Sequence, residues 1–175
     1  MQEKKYTLKE ILDSVMYITK NGTVKKRIIF DKSALGGMGS KWIIVGFVLL
    51  PFLVYVAIFN AKSFHYLGIA QAIVLYIVLL VVAMQVVVGI SYLNNKKIMQ
   101  MITPSWETYF PSVELKNVLS SGATPYVDFK KYYAQALQKG LQEEALHATL
   151  KKDFKTMQEE HKDLYEAMHR AKKNE

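Results

Sequence analysis

Two long stretches without a charge restrict what this chain can fold into. Residues 42–61 (WIIVGFVLLPFLVYVAIFNA) contain no Asp, Glu, Lys, Arg or His. A run of about 20 residues at roughly 1.5 Å each is enough to cross a hydrocarbon layer of roughly 30 Å. Residues 66–93 give a second, longer run, dense in Val, Ile and Leu. Only residues 61–65 separate them, with Lys62 as the single formal charge. The competing reading, two core helices of a soluble protein, is disfavoured because core helices seldom stay apolar on every face over such a length. The pattern predicts a transmembrane helical hairpin.

Charge gives the hairpin an orientation. The net charge of +8 is unevenly spread: residues 1–41 hold nine Lys/Arg against four Asp/Glu, and residues 94–175 hold thirteen against eleven. Lys25, Lys26, Arg27, Lys32 and Lys41 crowd one membrane flank, Lys96 and Lys97 the other, and the turn is nearly bare. By the positive-inside rule both termini are cytoplasmic. These cations sit where anionic headgroups would lie, so lipid is favoured over nucleic acid as their partner. The segment before Trp42 carries no apolar core of signal-peptide type, so residues 42–61 are expected to act as an uncleaved signal anchor. Asn21-Gly22-Thr23 fits the glycosylation pattern, which a cytoplasmic location would leave unused. With no cysteine in the chain, disulfides and thiolate chemistry are excluded.

Before the hairpin, Thr7-Leu8-Lys9-Glu10 has capping-box spacing, and Leu8, Ile11, Leu12, Val15 and Met16 share one helical face. Asn21-Gly22 ends that helix, followed by a strand-like stretch over residues 24–30. A rival reading pairs residues 17–20 with 23–30 as a hairpin about the same Asn-Gly. Gly36-Gly37-Met38-Gly39 lacks the spacing of a phosphate-binding loop and reads as a flexible entry to the first span.

Within the hairpin, Pro51 predicts a kink in the first helix. Gly46 and Gly89 fall at similar depth and are expected to face one another, allowing close helix contact. Gln71 and Gln85 are separated by almost four helical turns and so lie on nearly one face of the second helix. An amide in lipid wants a partner, so that face is expected to meet other helices. The absence of ionisable residues from both runs argues against proton or ion relay.

After Lys97, residues 103–111 set Trp106, Tyr109 and Phe110 between Pro104 and Pro111. The prolines predict a helix end. Trp106 and Tyr109 predict residence at the membrane interface, with Lys25, Lys26, Arg27, Trp42, Lys96 and Lys97. Residues 126–139 form one expected helix and 141–171 a longer one. His147, Leu150, Phe154, Met157, His161, Leu164 and Met168 follow in it at alternating steps of three and four. Leu150, Phe154, Met157, Leu164 and Met168 are the expected partner-binding stripe, docking on 126–139 or a neighbouring subunit. His161, Tyr165 and His169 share a face but are too widely spaced for chelation by one helix, so no metal or cofactor is expected. No nucleophile, base and oxyanion site are brought together, which argues against an enzyme.

The expected fold is an all-α membrane protein: a two-helix transmembrane hairpin with a cytoplasmic N-terminal amphipathic helix and a C-terminal helical tail. Its segments are 1–41 (amphipathic and basic), 42–93 (the hairpin, 42–61 and 66–93), 94–125 (a juxtamembrane Pro/aromatic linker) and 126–175 (the tail). The expected role is a non-enzymatic scaffold of a larger bacterial inner-membrane assembly, of the kind found in secretion, conjugation or transport machinery. Its expected partners are other membrane-complex subunits, anionic lipid headgroups and further copies of itself, without nucleic acid. A small oligomeric channel or transport accessory, and an immunity-type or membrane-shaping hairpin, are the alternatives.

Overall fold

The computed structural model describes residues 5–141 and 143–173; residues 1–4, 142 and 174–175, at the edges of the expected outer segments, lie outside the described residues. The first helix, α1 (Leu8–Val15), starts as its sequence dictates. Thr7 caps it, accepting from the Glu10 amide while the Glu10 carboxylate accepts from the Thr7 amide at 2.9 Å. Its apolar face, Leu8, Ile11, Leu12 and Val15, is fully buried.

After α1 the chain forms a small antiparallel hairpin, β1 (Met16–Ile18) and β2 (Val24–Lys26), with Tyr17 opposite Lys25. The rival reading of the Asn-Gly turn therefore holds, with shorter arms than expected. Gly22 takes φ 74°, a conformation that glycine adopts without strain. Thr19 and Thr23 close the loop through their hydroxyls at 2.6 Å. The described chain is thus mostly helical rather than all-helical.

Two helices are long and apolar enough to cross a membrane. The first, α2 (Lys41–Ile58), contains Pro51; the second lies within α3 (Ala61–Tyr109). Asn60 caps α3 by accepting from the Ser63 amide, and Gly68 (φ 69°, ψ 170°) breaks the helix soon afterwards. The expected tight turn is therefore a capped helical turn ending at a glycine kink, and the uninterrupted apolar run starts after Gly68. The two helices meet along complementary stripes, with Tyr76 edge-on to Tyr55 and Phe59 at 6.1 and 5.7 Å.

Beyond the apolar run α3 does not stop. It continues through Pro104 to Tyr109, where a linker was expected. Proline lacks an N–H and so leaves the Gln100 carbonyl without its helical donor, but Gln100 is exposed and water can satisfy it. This extension carries Ile98, Ile102 and Trp106, all fully buried, into the middle of a second unit. Around it pack α1, the short helix α4 (Leu115–Val118), α5 (Phe129–Gln138) and α6 (Glu143–Glu160). A last helix, α7 (Lys162–Lys173), follows a break at His161, so the expected single long tail helix is two.

Neither flank is large enough to build a deep core of its own, yet together they form one. Tyr6, α1, Met16, Val24, Phe30 and Leu35 join residues from α3 to α6 in a single buried cluster. An aromatic stack lies at its centre, with Phe129 and Phe154 parallel at 5.2 Å and Trp106 and Tyr126 edge-on to Phe154.

Candidate functional site

The apolar helices leave almost all of their side chains exposed. In α2 only Ile58 is buried, and in the apolar part of α3 only Ala72, among the described residues. Contiguous apolar surface on this scale is far larger than a monomer in water ordinarily carries. The helices face each other through Leu50, Pro51, Leu80, Ala83 and Val87, which surround an apolar gap of about 150 Å³.

The expected Gly46–Gly89 contact is not made. A methyl group added at either position would meet nothing within 4 Å, so both glycines face outward, away from the seam. Gln71 and Gln85 are also exposed. They recur with Val78 every seven residues, and the helical repeat sets that line opposite the Ala72, Tyr76, Leu80, Ala83, Val87 stripe that meets α2. Both amides therefore lie on the outer face of the hairpin.

The basic flank divides into groups with different work. Lys25, Lys96 and Lys97 are exposed, and Trp42, at the start of α2, is 67% exposed. Lys26 and Arg27 are partly committed to the fold. The Lys26 ammonium donates to the Leu119 carbonyl at 2.7 Å, and Arg27 Nε to the carbonyls of Asp13 (3.1 Å) and Met16 (2.9 Å). Arg27 also stands 3.8 Å from Asp31. Burial opposes the Asp31 charge, but hydrogen bonds from Ser33 and Ser40, with the Arg27 charge, outweigh it and hold the carboxyl below its ordinary pKa. Asp31 thereby fixes the loop that leads into α2.

Directly after the apolar run, Asn94 and Asn95 clamp the segment before α2 onto α3. Asn94 Nδ2 donates to the Phe30 carbonyl at 2.9 Å, Asn95 Nδ2 to the Ile28 carbonyl at 2.8 Å, and the Phe30 amide to Asn95 Oδ1 at 2.8 Å. A sequence signal exists, because two adjacent asparagines in mid-helix are poor helix formers. In one dimension it marks only the end of a span. Beside this clamp opens a cleft of about 970 Å³, lined in part by Lys26, Arg27, Tyr92, Lys96 and Lys116. Lys116 has no signal in the sequence, since its place in the cleft depends on how α4 packs.

Other expected positions move inward. Trp106 is fully buried, its indole N–H donating to the Val113 carbonyl at 2.6 Å, rather than lying at a membrane interface. It stands about 20 Å along the helix beyond Leu93, where the uncharged run ends. Tyr109 is part-buried, its hydroxyl 3.4 Å from Glu143 and its carbonyl 3.0 Å from His147 Nε2. Of the expected partner stripe, Leu150, Phe154 and Met157 are consumed by this chain's own core. Leu164 and Met168 are half-buried, and Asn117 donates to Met168 Sδ at 3.3 Å. The docking of 141–171 onto 126–139 is seen, as α6 against α5.

Asp128, Glu160 and His161 bring ligand-type atoms within 4.8 Å of one another. These groups already serve one another and a neighbour: His161 Nε2 lies 3.3 Å from Asp128 Oδ2, and the Tyr132 hydroxyl donates to Glu160 at 3.4 Å. They clip the end of α6 to the start of α5. Inside the core, the Tyr133 hydroxyl has no hydrogen-bond partner among the described residues, and burial, with Asp13 nearby, pushes its pKa well up.

Comparison with protein-family models, curated proteins and solved structures finds no match to this chain.

Proposed function

We propose that this protein is a non-enzymatic integral membrane subunit that anchors and scaffolds a larger assembly in a bacterial inner membrane, both termini cytoplasmic. The observation that carries the reading is the outward placement of Gln71 and Gln85 on an otherwise apolar hairpin. An amide in hydrocarbon without a hydrogen-bond partner costs roughly 2 kcal/mol or more. Among the described residues nothing packs over the Gln71 and Gln85 face, so spans of other subunits, or of further copies, supply the partners. The folded unit on α3 then acts as a rigid cytoplasmic mount. The partner-binding role expected of Leu150, Phe154 and Met157 passes to the hairpin and to the exposed faces of that unit.

The native chain contains no cysteine, so single-cysteine variants report contact directly. Gln85→Cys and Gln71→Cys, each labelled with a thiol-reactive benzophenone in native membranes, should give cross-linked adducts on irradiation. Ile73→Cys, also exposed but off that face, should not. Adducts at Ile73 as strong as at Gln85, or none anywhere with a monodisperse monomer on purification, would defeat the proposal.

A further inference from the structure

The Asn94/Asn95 clamp holds an exposed apolar loop and several cations around one cleft at the point where α3 leaves its apolar run. We infer that this cleft is a binding site for the headgroup of an anionic glycerophospholipid. The inference rests on the membrane-anchored reading above and goes beyond it, because it assigns one lipid class to one place.

Three features favour a lipid. First, depth: Tyr92, Asn95, Lys96 and Met99 line one wall, and Tyr92 lies one residue before Leu93, where the uncharged run ends. A helix entering water there holds those residues at headgroup level. Second, charge: the opposite walls supply Lys26, Arg27 and Lys116. Asp31 at 3.8 Å from Arg27 and Glu114 at 3.3 Å from Lys116 offset part of this charge, and the Asp13 carboxylate also acts on Arg27, leaving four cations against three carboxylates. Lys26 uses one of its three N–H groups on Leu119 and keeps two, while Lys96 is exposed. Third, amphiphilicity: Ile28 (91% exposed) and Tyr92 (66% exposed) line the same cleft with half-buried Met99, over a floor of Phe30 and Leu119 that are themselves buried in the core. A soluble phosphate would gain nothing from these apolar groups. A phospholipid would set its phosphate among the lysines and run its acyl chains past Tyr92 along α3.

The test uses the full chain in nanodiscs of phosphatidylcholine doped with phosphatidylglycerol, with retained lipid counted by native mass spectrometry after release into mild detergent. The wild type should keep one phosphatidylglycerol in preference to phosphatidylcholine. Lys96→Gln and Lys116→Gln should each weaken retention about fivefold, as expected for one basic residue near an anionic surface. Lys97→Gln removes the same charge one residue outside the cleft lining and should change retention less than twofold. Circular dichroism on all variants separates lost binding from lost folding. Equal losses in Lys97→Gln and Lys96→Gln, or no headgroup preference in a folded wild type, would overturn the site. Displacement of the lipid by inorganic phosphate would reassign it to a free anion and overturn it equally. Extraction of the protein from membranes at alkaline pH would defeat the anchoring reading and the site together, whereas resistance to extraction without headgroup preference defeats the site alone.

Discussion

Trp106 shows how one side chain can be assigned a correct physical preference and a wrong location. An indole favours any place where its ring is apolar and its N–H is satisfied. A membrane interface offers that, and so does a core that supplies a carbonyl. Here Val113 supplies it at 2.6 Å, with Phe110 at 4.7 Å and Phe154 at 6.0 Å against the ring. Spacing along the chain could not separate the two cases, because the decision lies in the packing of α6 onto α3. The Asn94/Asn95 clamp is hidden for a similar reason: its partners, Ile28 and Phe30, lie on the far side of the hairpin in sequence. By contrast Thr7 and Glu10 are legible in full, since a capping box is complete within one helical turn. Trp106→Ala removes a fully buried ring and its hydrogen bond, a change that typically costs about 3–5 kcal/mol. Domains are commonly stable by only about 5–15 kcal/mol, so the loss is a large share. Thermal unfolding in micelles should show a clearly lower midpoint for Trp106→Ala, and an unchanged midpoint would contradict the buried placement.

At the scale of elements, the apolar runs are readable almost to their ends because charge-free length is a one-dimensional property. Their neighbours are not. Pro104 signals a helix end by its chemistry, yet α3 runs through it, since burial of Ile98, Ile102 and Trp106 on one face outweighs a single lost backbone bond. Glycine carries the opposite lesson. Gly68 breaks α3 at φ 69° and ψ 170°, a region that is essentially glycine-only, and an added Cβ would also meet Gln71 Oε1 at 3.2 Å. Gly46 and Gly89 lie inside regular helix with open space beside them. Alanine should therefore separate these positions. Gly68→Ala is expected to destabilise the hairpin by about 1–3 kcal/mol. Gly46→Ala and Gly89→Ala should be neutral, or stabilising by up to about 1 kcal/mol through helix propensity. Protease cleavage in the link between α2 and α3 reads the difference. Faster cutting of the Gly46 or Gly89 variant than of Gly68→Ala would restore the helix-contact role that the sequence suggested.

For the whole molecule, the joining of the two flanks into one core has a topological consequence. Tyr6 donates its amide to Ser105 Oγ at 3.1 Å, and Leu8 donates to Glu143, so residues before α2 and after the apolar part of α3 occupy a single unit. Two chain segments that share a core cannot lie on opposite faces of a membrane. With the apolar helices spanning a bilayer, as proposed, both flanks must be on one side whatever the charge rule says, and the rule only chooses which. Composition could not reveal this shared core, because each flank alone has too little apolar surface and the contacts span 99 and 135 residues of sequence. In intact spheroplasts, Lys62→Cys should react with a membrane-impermeant maleimide. Lys25→Cys and Lys151→Cys, both exposed in the folded unit, should react only after the membrane is opened. Labelling of Lys25→Cys and Lys151→Cys without Lys62→Cys would invert the orientation but keep the fold. Labelling of Lys25→Cys and Lys151→Cys from opposite sides cannot occur if α1 and α6 share the core, so that outcome would break the structure itself and not merely its placement in the bilayer.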